Sequence, residues 1–187
     1  LEARAARVRP GRDDKVLASW NGLAISALAF GGRVLAEPRW VEAAARAADH
    51  VLGHMVVGGR LQRSWRGGRV GTPAFLDDHA FLANGLLDLF EATFEPRWLE
   101  AALDLGGQLT RRFGDPAGGG WWTTADDHER LLVREKPTHD GAEPSGASVA
   151  LQVVLRLAAF TGEERWREEA ALALRQAAPA LATSPLS

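Results

Sequence analysis

Titratable and aromatic side chains gather at the starts of three strongly apolar segments. Paired carboxyl groups can supply the acid and the base of glycoside chemistry. A histidine held neutral at a helix N-terminus suits a general base. Carboxylates accept hydrogen bonds from sugar hydroxyls, and exposed indoles such as Trp20 and the Trp121–Trp122 pair can stack on sugar rings. The candidate catalytic residues are Asp13, Asp14, Asp78, His79, Asp140 and Glu143.

A purely structural role explains part of this set. One carboxylate near a helix start is favoured by the helix macrodipole. When the three apolar segments are aligned, Ser19, Asp77 and Ser145 fall on one position, and all three residue types are preferred N-caps. We therefore expect these three residues to cap helices, and only the carboxylates in excess of capping bear on function.

Metal and cofactor sites lack their usual sequence signals. The chain has no cysteine and no HExxH spacing, which excludes thiolate ligands and disfavours a zinc site. The glycine run at 118–120 precedes a tryptophan pair and not a helix start, so it does not predict a phosphate loop. We expect neither a metal nor a cofactor.

Composition limits the partners. The 187 residues carry a net charge of -2 and are 46% hydrophobic, enough for one domain with a sizeable core. The charge gives no basic surface for nucleic acid, and no apolar run approaches the roughly 20 residues of a membrane span. Because no charged-then-apolar leader opens the chain, we expect a cytoplasmic protein that binds neither nucleic acid nor membrane.

An internal repeat predicts the architecture. The segments "EPRWVEAAARAADHVL", "EPRWLEAALDLGGQL" and "EERWREEAALALRQA" align on Trp40, Trp98 and Trp166, and each follows a more apolar segment. Helical periodicity in the second segment of the unit, after a first segment that is apolar nearly all round, predicts an all-α fold of tandem helical hairpins. The expected hairpins span 20–55, 78–112 and 146–181.

The two helices of each hairpin differ in polarity. The first is apolar on nearly all sides and is expected to be buried, whereas the second is amphipathic, with its tryptophan in the core. This pairing is typical of a helical toroid or solenoid. The long connections at 53–76 and 114–144 lie where the inner helices begin, so a pocket is expected there. Small β-hairpins are predicted around a Gly-Gly turn in "RLQRSWRGGRV" and around 126–127 in "GWWTTADDHERLLVRE".

Three motifs resemble one protein family. The segments "RPGRDDKVLASWNGLAISALA", "FLDDHAFLANGLLDLFEAT" and "LLVREKPTHDGAEPSGASVALQVVLRLA" resemble, in this order, the C-terminal half of the YyaL-type proteins. That family joins a thioredoxin-like domain to a six-hairpin glycosidase-like domain. The resemblance implies an (α/α)6-toroid related to N-acylglucosamine epimerases and several glycoside hydrolases. It does not imply an established reaction.

The resemblance also implies site residues. Besides the catalytic candidates, the positions that match the motifs and are expected to bind ligand are Lys15, Trp20, Asn21, Asp77, Ser145 and Ser148. Two positions depart from the family pattern. The family often has Tyr where this chain has His79, and Ala147 replaces an Asn at the expected mouth of the toroid.

By hairpin count, residues 1–187 are expected to form about half of a toroid, without the thioredoxin-like domain, which would be a partner in a longer protein. Inner helices without neighbours would expose an apolar flank, so the chain is expected to self-associate. Three functions remain open: a carbohydrate-active enzyme of hydrolase or epimerase type, a domain that binds a sugar-like ligand without turnover, and a structural or interaction module.

Overall fold

The computed structural model describes residues 7–8, 11–136 and 139–183. Its described part contains three pairs of α-helices that follow one another along the chain. Each pair forms a hairpin whose two helices are joined by only two or three residues. The helices are α1 (Ala18–Val34), α2 (Pro38–His54), α3 (Leu76–Thr93), α4 (Pro96–Gln108), α5 (Gly146–Thr161) and α6 (Glu164–Thr183), and a short π-helical turn, Leu109–Phe113, extends α4.

The turns inside the hairpins follow from local sequence. Phe94 and Gly162 adopt left-handed backbone conformations that end α3 and α5, a common way to terminate a helix. Pro38 and Pro96 then open α2 and α4, because a proline at the first helical position loses no hydrogen bond. These signals make each connection short and each pair antiparallel.

The first helices of the hairpins form an inner layer with α3 at its centre. Helix α3 packs against α1 on one side and α5 on the other, and its Leu82 and Leu86 are fully buried. Helices α1 and α3 approach closely at two glycines. A Cβ on Gly22 would lie 2.5 Å from the backbone nitrogen of Leu82, and one on Gly85 would lie 2.5 Å from the carbonyl oxygen of Gly22.

The expected all-α fold of tandem hairpins is therefore confirmed, but one core prediction is wrong. Trp98 and Trp166 are each 1% exposed, whereas Trp40 is 39% exposed. Trp166 packs against Gly106 in the preceding outer helix. Among the described residues no outer helix precedes α2, so Trp40 has no equivalent surface to cover it.

The connection between α2 and α3 forms two β-hairpins. The strand β1 (Val16–Leu17) pairs with β4 (Ser64–Arg66), which pairs with β5 (Arg69–Val70) across a Gly-Gly turn with positive φ. This hairpin was expected from the sequence. A second one, β2 (Val56–Val57) with β3 (Arg60–Leu61), was not. The pairing of β1 with β4 ties this connection to the start of α1.

The hairpin expected around 126–127 does not form. Between 114 and 136 no strand is present, and Gly114 and Trp121 share only an isolated bridge. The segment is held instead by the Lys136 ammonium group, which lies 2.7 Å from the Asp115 carboxylate and 2.6 Å from the Gly119 carbonyl oxygen. Trp121 anchors it by being almost completely buried.

In the described part of the chain, no helix is both long enough and apolar enough to cross a membrane.

Candidate functional site

A cleft of about 490 Å³ opens where the inner helices begin. We call it the mouth cleft. Its walls come from the start of α3, the segment leading into α5, Arg63 just before β4, and the 114–136 connection. The lining residues are Arg63, Phe75, Leu76, Asp77, Phe81, Thr123, Glu143, Pro144 and Gly146.

Asp78 is the structural centre beneath this cleft. Its fully buried carboxylate accepts hydrogen bonds from the backbone N–H groups of Ser19 at 3.1 Å and Phe75 at 2.9 Å. The Arg63 guanidinium donates a third at 3.0 Å. Burial raises the pKa of Asp78 to about 6, with a contribution from the neighbouring Asp77 charge, although these donors favour the ionised form. The side chain thus joins the starts of α1 and α3 to the loop that carries Arg63.

The expected N-caps are wrong at two of the three positions. Helix α1 begins at Ala18 and α3 at Leu76, so Ser19 and Asp77 lie inside the first turns. At α3 the capping hydrogen bond runs from the N-cap backbone of Phe75 to Asp78 three residues later. Ser145 does cap α5: its hydroxyl accepts a hydrogen bond from the Ser148 backbone N–H at 3.1 Å.

Asp77 is the carboxylate of α3 that reaches the mouth cleft. Its two carboxylate oxygens both lie 3.5 Å from the Arg63 guanidinium, which is closer to Asp78. The same guanidinium lies over the Phe75 ring, 5.0 Å from its centroid. Asp77 therefore has one long, partly exposed ion pair, and its oxygens remain accessible from the cleft.

Glu143 supplies a second carboxylate to the mouth cleft, from the segment before α5. The Trp20 indole N–H donates a hydrogen bond to it at 3.2 Å. Trp20 extends from the first turn of α1 and is 60% exposed, so most of its ring is available for stacking. This contact links the first and third hairpins across the mouth.

His79 does not line the mouth cleft. It is buried, with Nδ1 2.9 Å from the Phe75 carbonyl oxygen and its ring packed on Phe113. Burial lowers the pKa of His79, so the neutral ring donates its Nδ1–H to that carbonyl. The structure gives His79 a role in packing the start of α3.

The remaining predicted residues of the first motif lie outside the cleft. Asp13 pairs with Lys15 at 3.2 Å, and this contact lowers the pKa of the exposed Asp13 carboxylate. Asp14 pairs with Arg66 of the β4–β5 hairpin. The Asn21 amide donates to the Leu17 carbonyl oxygen. These side chains therefore stabilise the entrance to α1 and its contact with the hairpin.

Three residues of the third motif also make local contacts. Asp140 accepts a hydrogen bond from the Ser145 backbone N–H at 2.8 Å. The hydroxyls of Ser145 and Ser148 are 2.7 Å apart. Of the twelve predicted site residues, the structure brings Asp77 and Glu143 to the cleft lining, with Trp20 in contact with Glu143.

The Trp121–Trp122 pair is not available for stacking. Trp121 is buried, and the Trp122 ring is covered by Arg134 and Lys136, whose charged groups lie 5.1 and 4.6 Å from its centroid.

Sequence reasoning missed Arg63 and Thr123 as cleft residues. Neither lies at an inner-helix start, and only the β-hairpin register points Arg63 towards α3.

A second cleft of about 520 Å³ lies farther along the same inner helices. Here the carboxylates are ion-paired: Arg156 of α5 contacts Asp88 at 2.8 Å and Glu91 at 2.7 Å. Arg33 of α1 also pairs with Glu91.

In the described part of the chain, no group of three or more His, Asp or Glu side chains is arranged to hold a metal ion.

No protein-family model matches the chain. Spermatogenesis-associated protein 20 of Homo sapiens is 41% identical over 180 residues, which are 90% of this chain and 23% of that protein. An uncharacterized protein of Caenorhabditis elegans is 32% identical over 99% of this chain and 26% of its own length. The chain thus spans about a quarter of the length of the curated relatives it matches.

Solved structures show the same fold. The cellobiose 2-epimerase of Spirochaeta thermophila matches with a TM-score of 0.68 and 18% identity, over 86% of this chain and 42% of that one. A glycoside hydrolase of family 76 (mannosidase) from Bacteroides thetaiotaomicron gives 0.70 and 16%, over 90% and 46%. An inactive α-1,6-mannanase variant from a Salegentibacter species gives 0.69 and 16%, over 94% and 49%. The chain therefore has the fold of the (α/α)-toroid glycosidases and epimerases.

Proposed function

We propose that the mouth cleft binds a carbohydrate and that Asp77 and Glu143 act on it as a base and an acid. The observation that carries the proposal is the placement of these two accessible carboxyl groups in one cleft. They come from the starts of two different inner-helix segments. The other predicted carboxylates are buried, as Asp78 is, or make local contacts outside the cleft.

The structural neighbours support a sugar as the ligand. The α-1,6-mannanase structure is of an inactive variant in which two consecutive aspartates are replaced by alanine, in complex with α-1,6-mannotetrose. This chain also has two consecutive aspartates at the cleft, Asp77 and Asp78. Only Asp77 reaches the lining, because Asp78 lies beneath it and accepts three hydrogen bonds.

The chemistry follows from the two carboxyl groups. In glycoside hydrolysis, an acidic carboxyl donates its proton to the glycosidic oxygen as the bond to the anomeric carbon breaks, and a carboxylate takes a proton from the attacking water. We assign the base to Asp77, which lies beside the Arg63 guanidinium, and the acid to Glu143. Trp20, exposed and bonded to Glu143, would stack on a sugar ring next to the acid.

The test is turnover of a defined sugar panel by the purified chain. α-1,6-Mannotetraose and cellobiose cover the sugars named for the neighbours, and products are followed by NMR of the anomeric protons. Asp77→Asn and Glu143→Gln should each lower kcat/KM by about 100-fold or more, because each removes a proton-transfer group. Glu100→Gln, an exposed carboxylate on α4, is the matched control and should stay within twofold. Variants as active as the wild type would reject the assignment.

Binding without turnover is the second candidate function. It is favoured by the contacts of Asp78 and His79. Both were predicted to be catalytic, but both side chains are hydrogen-bonded to backbone atoms at the start of α3. In this case a sugar would raise the melting temperature saturably without any product. Trp20→Ala should then abolish the shift. If no sugar of the panel is turned over or raises the melting temperature, a structural or interaction module is the function that remains.

A further inference from the structure

One arginine is shared by the two consecutive aspartates at the start of α3. The Arg63 Nη1 atom lies 3.0 Å from the Asp78 carboxylate and 3.5 Å from each carboxylate oxygen of Asp77. The Asp78 side chain is fully buried, whereas that of Asp77 is 33% exposed. The guanidinium therefore lies between a buried acceptor and an accessible one, and its shorter contact is with the buried one.

The side chain of Arg63, and not its backbone, is the part that can change partner. The backbone N–H donates to the Thr72 carbonyl oxygen at 2.8 Å, and the carbonyl oxygen accepts from the Ala18 N–H at 2.9 Å. The guanidinium lies over the Phe75 ring, 5.0 Å from its centroid. Because Nη1 is within 3.5 Å of both aspartates, a shift of a few tenths of an ångström over this ring exchanges one contact for the other.

Burial explains why Asp78 has the closer contact. A carboxylate that is out of water has lost its hydration, and its charge interacts more strongly in the low-dielectric interior, so it depends on its protein partners. A partly exposed carboxylate such as Asp77 keeps water and loses less when its partner is distant. The ionised Asp78 therefore holds Arg63 away from Asp77.

We propose that Asp78 is a positioning residue whose charge keeps the Arg63 guanidinium off Asp77 and so leaves the Asp77 oxygens open to the mouth cleft. The role of Asp77 as the group that meets a ligand rests on the proposed function. Without a negative charge at position 78, Arg63 closes on Asp77 and forms a charge-assisted ion pair with its oxygens. The proposed base is then covered.

The same arrangement makes access to Asp77 depend on pH. Burial and the neighbouring Asp77 charge raise the pKa of Asp78 to about 6, so acidification removes the charge that holds Arg63. The other groups around this pair are His79 of α3, turned to the Phe75 carbonyl oxygen, Arg112 of the π-helical turn, which acts on His79, Glu143 across the cleft, and the Ser19 backbone N–H of α1.

Carboxyl labelling measures the accessibility of Asp77 without any sugar. A carbodiimide couples glycine ethyl ester to accessible carboxyl groups, and peptide fragmentation in a mass spectrometer locates the label. At pH 7, Asp78→Asn should lower the labelling rate of Asp77, relative to Glu143 in the same chain, by about fivefold or more, because Arg63 covers it. Asp88→Asn changes another arginine-paired aspartate of α3 and is the matched control. It should leave the ratio within about twofold.

A double substitution separates positioning from a purely structural role. If Asp78 acts by holding Arg63, removing both side chains should open Asp77 again. Asp78→Asn with Arg63→Met should therefore be labelled at Asp77 within about twofold of the wild-type rate. A residue that only stabilised the start of α3 would not be rescued in this way. Arg66→Met, which removes an arginine paired with Asp14 outside the cleft, is the control and should give no rescue.

The wild-type chain provides the same test without a substitution. The ratio of Asp77 to Glu143 labelling should fall as the pH is lowered from 7 to 5, because Asp78, with its pKa of about 6, loses its charge in this range. In Asp78→Asn the ratio should be low at both pH values. Circular dichroism confirms that each variant is folded.

Three results would overturn the proposal: equal labelling of Asp77 in the wild type and Asp78→Asn, a wild-type ratio that does not change with pH, and a double variant labelled as slowly as Asp78→Asn. None of them bears on the proposed function, which the sugar panel tests separately. Failure of every sugar to bind or react would reject the proposed function and leave the labelling result standing.

Discussion

One face of α3 lines both clefts, and its carboxylates differ sharply between the two ends. At the mouth cleft, Asp77 has one long ion pair and Glu143, opposite, accepts one indole hydrogen bond. At the second cleft, Glu91 is paired with Arg33 of α1 and Arg156 of α5. Asp88 is paired with Arg156 and accepts a hydrogen bond from the Ser26 hydroxyl of α1. The first pair is free to meet a ligand, whereas the second holds three helices together.

The comparison shows that a cluster of acids does not by itself identify a site. What separates the two ends is how many donors each carboxylate already has. Asp78 is a further example, although it is next to Asp77 in the sequence, because its buried oxygens accept three hydrogen bonds. Carboxylates with satisfied oxygens serve the fold, and those with accessible oxygens are candidates for chemistry.

The largest expected effect comes from removing the buried carboxylate. Asp78→Ala should lower the free energy of unfolding by about 3–5 kcal/mol, because Arg63 and two backbone N–H groups lose their acceptor. Urea titration followed by tryptophan fluorescence measures this. Asp77→Asn should cost less than about 1 kcal/mol. Equal costs for the two variants would remove the distinction between the adjacent aspartates.

The pH dependence of stability should carry the signature of Asp78. In the folded protein the pKa of Asp78, about 6, lies above the ordinary value of 3.8 for this group, so the unfolded chain releases this proton first as the pH rises. The contribution of Asp78 to stability should therefore be greatest below pH 4, fall between pH 4 and 6 by on the order of 2–3 kcal/mol, and stay level above. Subtracting the unfolding profile of Asp78→Asn from that of the wild type isolates this term. A difference that grows with pH would reverse the sign.

The ion-paired end should be sensitive to its central arginine. Arg156→Met should cost about 2 kcal/mol, because Asp88 and Glu91 are partly buried and each would lose an arginine partner. Arg167→Met removes an exposed pair with Glu164 and should change stability by less than about 0.5 kcal/mol. Thermal unfolding of both variants is the measurement. Similar melting temperatures would show that the ion pairs of the second cleft stabilise the fold no more than an exposed pair does.

The smallest effect on stability is expected at the mouth. Glu143→Gln and Trp20→Phe should each change the free energy of unfolding by no more than about 0.5 kcal/mol, because both side chains are exposed. The same Glu143→Gln variant is the one expected to lose activity. A large loss of stability would instead assign Glu143 to the architecture and weaken the contrast between the two clefts.

The helical pairs could be predicted closely from the sequence. The expected hairpins of 20–55, 78–112 and 146–181 differ from the observed helix ends by no more than two residues when the π-helical turn is counted with α4. Repeated tryptophans and apolar periodicity are local signals, and they are sufficient for element type and order. The exposure of Trp40 could not be read locally, because it depends on which helix stands beside α2.

The site was harder to predict because neighbouring residues on a helix point their side chains in directions about 100° apart. Asp77 and Asp78 are indistinguishable in sequence, yet one faces the cleft and the other faces α1. The N-cap of α3, Phe75, also lies two residues before the expected cap, Asp77. Arg63 comes from a hairpin whose register with β1 is fixed only in three dimensions.

The glycine contact between α1 and α3 has a consequence for how this chain can vary. Gly22 and Gly85 bring two backbones together so closely that even a methyl group meets main-chain atoms at 2.5 Å. Main chain cannot move aside as a flexible side chain can. These two positions are therefore expected to tolerate no substitution in a mutational scan, although neither bears a functional group. The spacing of the first two hairpins, and with it the position of Trp20 at the mouth, is set by the absence of a side chain.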